Sequence, residues 1–323
     1  MNMRELISAL LNTAPYIGRL RREKTELAQQ LSALSVSHGN VPPGHYYSPV
    51  PRESEIEERL LRIQMAQDAL LGVDLNDVRQ SALLEEFASY YGEQPFKEEK
   101  TPGCRYYFGQ DLFCCTDAIF LYCFLRKFKP GRIVEVGSGF SSAAMLDTAD
   151  RLRGWDPSIT FIEPEPTRLL GVLTERDRTN HRLLAVRLQD APMEVFTSLE
   201  SGDLLFLDSS HVVKCGSDVQ MLIFDILPRL KEGVFVHFHD IFYPGFEYPA
   251  HWLHRGTFLN EAYFLRAFLM YNTQWEVYWF NGHIAAKHRS FLAEHMPLCL
   301  KEMGSSIFLR KGREGAANTN KGH

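Results

Sequence analysis

Five short stretches of this 323-residue chain carry side chains that can move protons or hold charge. They are Glu135-Val136-Gly137-Ser138-Gly139, Glu163, Gln189-Asp190, Asp208-Ser209-Ser210-His211 and His237-Phe238-His239-Asp240. An unperturbed histidine titrates near pH 6.5, which makes His239 and His211 candidate general bases. Asp208 and Asp240 suit two tasks. They can orient those rings, or hold a divalent cation such as Mg2+ that acidifies a bound hydroxyl. His237, one residue inside its strand, reads as a buried ring that satisfies backbone groups. Gly137 and Gly139 allow a tight turn and let backbone amides approach a ligand.

These residues act together only if the chain sets them side by side, and the pattern around them says how. Arg132–Val136, Thr160–Ile162, Leu183–Leu188, Leu204–Leu207 and Val234–Phe238 are short apolar runs that read as strands. Between them, Ser141–Arg153, Pro166–Arg176 and Val219–Leu230 read as helices, as does Ala118–Phe128 before the first strand. Such alternation implies an α/β, Rossmann-like, doubly wound and mostly parallel sheet. Asn260–Tyr271 is a further helix and Glu276–Phe280 a further strand. In such a sheet a ligand lies at the carboxyl ends of the strands, near the point where strand order reverses. All five stretches fall at strand ends. Ser142 stands where the dinucleotide fingerprint has its third glycine, which speaks against a nicotinamide-dependent oxidoreductase. Glu135, Glu163 and Asp190 around one crevice repel a polyphosphate and favour a cationic ligand. S-adenosylmethionine, with a sulfonium, an ammonium and no phosphate, is such a ligand.

Over roughly residues 105–285 the chain resembles the class I S-adenosylmethionine-dependent methyltransferases. The segments that carry the likeness are Glu135-Val136-Gly137-Ser138-Gly139, then Glu163, Asp190 and Asp208 at successive strand ends. Leu207-Asp208-Ser209-Ser210-His211, Pro228–Val234 and His239-Asp240 resemble a bacterial branch that often accompanies glycan or natural-product genes. The resemblance implies that Gly137, Ser138 and Gly139 line the donor's methionine part and that Glu135 helps with its ammonium. It implies that Glu163 binds the ribose hydroxyls, that Asp190 and Gln189 contact adenine, and that Asp208 faces the donor. Metal-dependent, catechol-type relatives place Asn after the second aspartate; here that residue is Ile241. The implied reaction is methyl transfer to oxygen or nitrogen of a small-molecule or glycan acceptor. A scaffold that binds the cofactor without turnover is the remaining alternative.

The composition fits a globular chain: 45% hydrophobic, 12% aromatic and 23% charged residues. A formal charge of -5 argues against nucleic acid or an anionic membrane as the main partner. Six cysteines without metal or disulfide spacing suit a reduced, cytoplasmic environment. The N-terminus does not read as a signal peptide, and no run of about 18 apolar residues is long enough to span a bilayer.

The chain divides into 1–36, an amphipathic or coiled-coil helix; 37–104, a linker and helical cap; 105–290, the Rossmann-like domain; and 291–323, a segment ending in a polar tail. Leu20, Leu27, Leu31 and Leu34 form a heptad seam, which suits either a homo-oligomer joined through this helix or a single amphipathic helix docked on its own body. Ser54 and Glu57 have capping-box spacing, and the pattern from Glu55 to Tyr91 is helical. Aromatic side chains at Tyr46, Tyr47 and Tyr243, the last in a loop over the fifth strand, are candidates for stacking on an acceptor.

Overall fold

The runs Leu204-Leu205-Phe206-Leu207 and Phe235-Val236-His237-Phe238 are buried along their whole length, as strands covered on both faces must be. They are β4 and β5 of a seven-stranded sheet whose other members are β1 (Arg132–Val136), β2 (Ser158–Ile162), β3 (Arg182–Leu184), β6 (Trp275–Phe280) and β7 (Ile307–Lys311). The computed structural model describes Met3 and residues 18–27, 41–65 and 70–312. The strand order is β3-β2-β1-β4-β5-β7-β6. The first five strands are parallel, and β7 lies antiparallel between β5 and β6. Strand order reverses between β1 and β4, which puts the ligand crevice above those two strands.

The chain forms two units. One comprises residues 1–65 and 253–258; the other, 66–252 and 259–323, holds the sheet. In the first, residues 18–27 are helical, with Leu20 and Leu27 exposed. Leu31 and Leu34 of the expected seam lie outside the described residues. Helix α1 (Glu53–Met65) starts earlier than the Ser54/Glu57 spacing suggests. Glu55, three residues past Arg52, accepts from the Arg52 amide at 2.8 Å and closes the first turn.

In the second unit the helical pattern after α1 resumes only at α2 (Asp77–Tyr91). A turn at Gly72 (φ 79°) and an Asx bond from the Asn76 amide to Asp74 (2.9 Å) separate the two helices. Helix α3 (Cys115–Phe128) is buried on every side from Cys115 to Leu125, the mark of a core helix. Lys129, in the left-handed conformation, and Pro130 end it. Helix α4 (Phe140–Arg151) follows β1 directly.

The expected helix Pro166–Arg176 is two short ones, α5 (Thr167–Val172) and Glu175–Asn180. Strand β3 stops at Leu184 rather than Leu188, and Leu188–Asp190 is a single 3-10 turn. Strand β7 is the main element absent from the sequence reading. It extends the sheet past residue 290 into the segment 291–323 and ends at Lys311. No disulfide forms among the six cysteines. No described helix is long and apolar enough to cross a membrane.

Candidate functional site

The parallel ladder runs one residue past the strand ends. Gly137 donates its amide to Ile162 (3.1 Å), Asp208 to Val136 (2.8 Å) and His239 to Leu207 (2.9 Å). Gly137, Asp208 and His239 therefore sit at the carboxyl edge of three adjacent strands. Gly137 has φ 78°, and a Cβ there would lie 1.7 Å from the Asp208 carbonyl oxygen. Only glycine fits that crossing. Two other site residues, His211 and Asp240, also have positive φ, both 57°. Non-glycine residues hold that conformation only where the surroundings enforce it.

Six titratable groups meet here. His211 has Glu261 on Nδ1 at 2.7 Å and Asp208 on Nε2 at 3.2 Å, with Asp240 at 3.5 Å. His239 stands at ion-pair distance from Asp117 (3.5 Å from Nε2), Asp208 and Asp240 (3.5 and 3.4 Å from Nδ1). With a carboxylate at each nitrogen, the His211 ring is called on to donate twice, which requires the imidazolium form, whereas His239 meets its carboxylates at ion-pair distance without a hydrogen bond. Burial works against that charge on His211, yet Asp208 and Glu261 outweigh it and push its pKa up to about 10. The same contest holds the His239 pKa well above its usual value, with Asp240 and Asp208 prevailing over burial. Asp208 and Asp117 are correspondingly held far below the carboxylate range despite their burial. This corrects the expectation of histidines near their ordinary pKa. Asp117 also accepts from Asn281 Nδ2 (2.6 Å) and from the amides of Ser305 and Ser306 (3.0 Å each).

Two cavities open on this row. One, of about 470 Å³, is lined by Glu163, Gln189, Asp208 and Ser209 among others. The other, of about 280 Å³, is lined by Ser138, Gly139, Arg168, Asp208, His239 and Asp240 among others. Gly137 and Glu163 line both. The Glu163 carboxylate accepts from the Ser138 amide (3.0 Å) and the Glu165 amide (2.9 Å), which ties the ends of β1 and β2 together. Gln189 reaches the Gly216 carbonyl at 2.8 Å. Asp190 is absent from the cavity lining; the expectation fails because Arg187, three residues back, pairs with it at 2.8 Å. Glu135 is fully buried beneath the turn, where Ser141 and Ser142 donate hydroxyls to it. It therefore braces the start of α4 instead of facing the crevice.

Tyr243, expected in a lid, is 6% exposed and packs edge-on against Phe280 and His283. Phe246 and Tyr248 of the same loop are buried as well, so the loop is core. Tyr46 and Tyr47 belong to the first unit, exposed and packed on each other and on His45. His237 is buried and stacked on Phe206 (3.7 Å, 9°), and burial keeps it neutral. Its ring makes no hydrogen bond among the described residues, so it satisfies no backbone group.

The sequence reading missed Asp117 and Glu261. Asp117 immediately precedes the expected helix Ala118–Phe128, and Glu261 falls within the expected helix Asn260–Tyr271, observed as α6 (Glu261–Leu269). The available signal was an acidic residue opening an otherwise apolar helix.

A methyltransferase-domain family model matches residues 134–241. An uncharacterised protein of Archaeoglobus fulgidus is 36% identical over 166 residues, spanning 49% of this chain and 73% of that one. Among solved structures, the chain is similar to the SAH-bound methyltransferase PaMTH1 of Podospora anserina. That match has 14% identity and a TM-score of 0.43, over 82% of this chain and 98% of that one. It is also similar to the O-methyltransferase TomG of Streptomyces achromogenes in complex with SAM. There the identity is 13% and the TM-score 0.38, over 72% and 90% of the two chains.

Proposed function

We propose, for a chain that belongs to the class I S-adenosylmethionine-dependent methyltransferases, that it methylates an oxygen or nitrogen of a small-molecule or glycan acceptor. The observation that carries this reading is the row Gly137, Asp208, His239. It sets a backbone cradle, in which a side chain would collide, beside a buried cluster able to take up protons. The residues present fit the donor. Gly137, Ser138 and Gly139 offer an open turn, Glu163 presents a carboxylate toward both cavities for ribose hydroxyls, and Gln189 lines the adenine side. When bound, the donor supplies a methyl group on a cationic sulfur.

The chain's own work is to hold the acceptor and receive its proton. Asp208 and Asp240 accept a hydrogen bond from the acceptor's hydroxyl or amine and fix it in the crevice. As that atom gains a carbon it becomes a much stronger acid, so a carboxylate of low basicity suffices to take its proton. His239 and His211 hold the two aspartates in place. Asp117 and Glu261, on the far nitrogens, keep the rings charged and oriented.

A second reading has one observation in its favour. Ligand atoms of Asp208, His211 and Asp240 all lie within 4.8 Å of one another, and these residues would hold a divalent ion. Incubation with methyl-labelled donor and a panel of sugars, polyols, phenols and amines tests the main reading, which expects label transfer to at least one acceptor. No transfer by a protein that binds the donor product supports a scaffold instead. Loss of transfer on chelation, restored by metal, supports the second reading.

A further inference from the structure

Strands β1, β2 and β3 bury one face of the sheet and keep the other polar. Ile133, Ile159 and Phe161 belong to the core, whereas Arg132, Ser158, Thr160 and Arg182 lie on the opposite face. Such alternation is foreign to parallel strands, which are ordinarily covered on both sides, as β4 and β5 are. The cover here is short. The single turn Glu194–Thr197 lies over this face and leaves a cavity of about 300 Å³ between itself and the strands. That cavity shares no lining residue with the two at the strand ends.

Two guanidiniums line it, in a chain of net charge -5. Arg132 is level with Ser158 and Arg182 with Thr160 in the ladders, so their Cα atoms stand roughly 12 Å apart across β2. Both side chains can therefore close on one ligand above the Ser158 and Thr160 hydroxyls. Arg132 gives one N–H to the Ser198 carbonyl. Arg182 makes no hydrogen bond or ion pair with any described residue, although the Glu194 carboxylate lines the same cavity. Forked guanidiniums match the oxygens of a phosphate, and the two hydroxyls add donors. Glu194 repels a bare dianion from its own side and accepts hydrogen bonds from hydroxyls instead. Val195 and Leu199 give the same wall an apolar surface.

We propose that this cavity binds a small phosphomonoester that carries hydroxyls, such as a phosphorylated sugar, with Arg132 and Arg182 on the phosphate and Glu194 on the hydroxyls. The site is separate from the donor crevice and stands whether or not that crevice takes the donor. Arg182 is exposed and unengaged, so its removal leaves the fold intact.

The test is calorimetry of the full chain, at constant ionic strength, with glucose 6-phosphate, inorganic phosphate and glucose. Wild type should bind glucose 6-phosphate, bind inorganic phosphate more weakly, and leave glucose unbound. Arg182→Ala should weaken glucose 6-phosphate by roughly 10- to 100-fold, the range for hydrogen bonds to a charged group. Arg182→Lys should recover part of the loss. Glu194→Gln should weaken glucose 6-phosphate but leave inorganic phosphate bound at least as tightly. Saturating S-adenosylhomocysteine should change none of these affinities. No binding of either phosphate by wild type, glucose bound as tightly as its phosphate, or an affinity that ignores Arg182 overturns the proposal. Displacement by S-adenosylhomocysteine overturns it as well, because the phosphate would then sit in the donor crevice.

Discussion

His211 Nδ1 and Glu261 Oε2 lie 2.7 Å apart, although 50 residues separate them in the chain. Glu261 is 1% exposed and His211 8%. The contact is fastened on both sides. Asn260 and Glu261 donate their amides to the His211 carbonyl (3.1 Å each), and Asn260 Oδ1 accepts from the Val213 amide at 2.6 Å. The start of α6 therefore sets both the backbone and the ring of His211. Asp117, at the start of α3, faces His239 Nε2 at the longer distance of 3.5 Å.

Glu261→Gln should lower stability, because removing one partner of a buried pair strands the other charge; about 3–5 kcal/mol is usual. A denaturant titration reads that loss. A purely structural role for Glu261 would leave the His211 ring in its imidazolium state, so ring nitrogen shifts give the second readout. Those shifts should move toward neutral imidazole in the variant.

His239→Ala should lower methyl transfer by about 10²–10⁴, the usual worth of a positioned proton-handling group. Donor-product affinity should stay within twofold, since Glu163 and the Gly137 turn are untouched. Turnover equal to wild type would remove His239 and the aspartates it holds from the reaction.

Glu135 gives a pH signature in stability. Burial pushes its pKa up to about 8 against the hydrogen bonds from Ser141 and Ser142, from an ordinary value of 4.5. The folded state therefore holds its proton more tightly than the unfolded chain. That contribution is full below pH 4.5 and is lost as pH rises through about 8. Glu135→Gln, neutral at every pH, should gain on wild type across that window by on the order of 3–6 kcal/mol. A gap that stays constant with pH would show that Glu135 is ionised in the fold.

The sheet was legible because its central strands are unbroken apolar runs, as in Leu204–Leu207, that stop at a charged or glycine residue. The same stops marked Gly137, Glu163, Asp208 and His239. What local spacing does not carry is a partner fixed by tertiary packing. Asp117 and Glu261 open helices, where an acidic residue is ordinary, and only the packing of α3 and α6 turns them inward. Asp190 and Tyr243 failed for the opposite reason. Each has the right chemistry at the right place in sequence, but Arg187 claims the first and the packing of Phe280 and His283 the second. Strand β7 escaped because Arg310 and Lys311 give its end the look of a polar tail.

Leu20 and Leu27, about half exposed on the helical stretch 18–27, motivate a test of association. Deleting residues 1–35 should lower the mass seen by light scattering. Equal masses for the full and shortened chains would show that this segment joins no copies.

The most direct measurement is calorimetric titration of wild type and Glu163→Ala with S-adenosylhomocysteine, with NAD as the contrasting ligand. The account predicts micromolar binding of S-adenosylhomocysteine by wild type and none of NAD. It also predicts a loss of about 1–3 kcal/mol in the variant, where a charged acceptor of hydrogen bonds is gone. Binding of NAD in place of S-adenosylhomocysteine, or an affinity indifferent to Glu163, would contradict it.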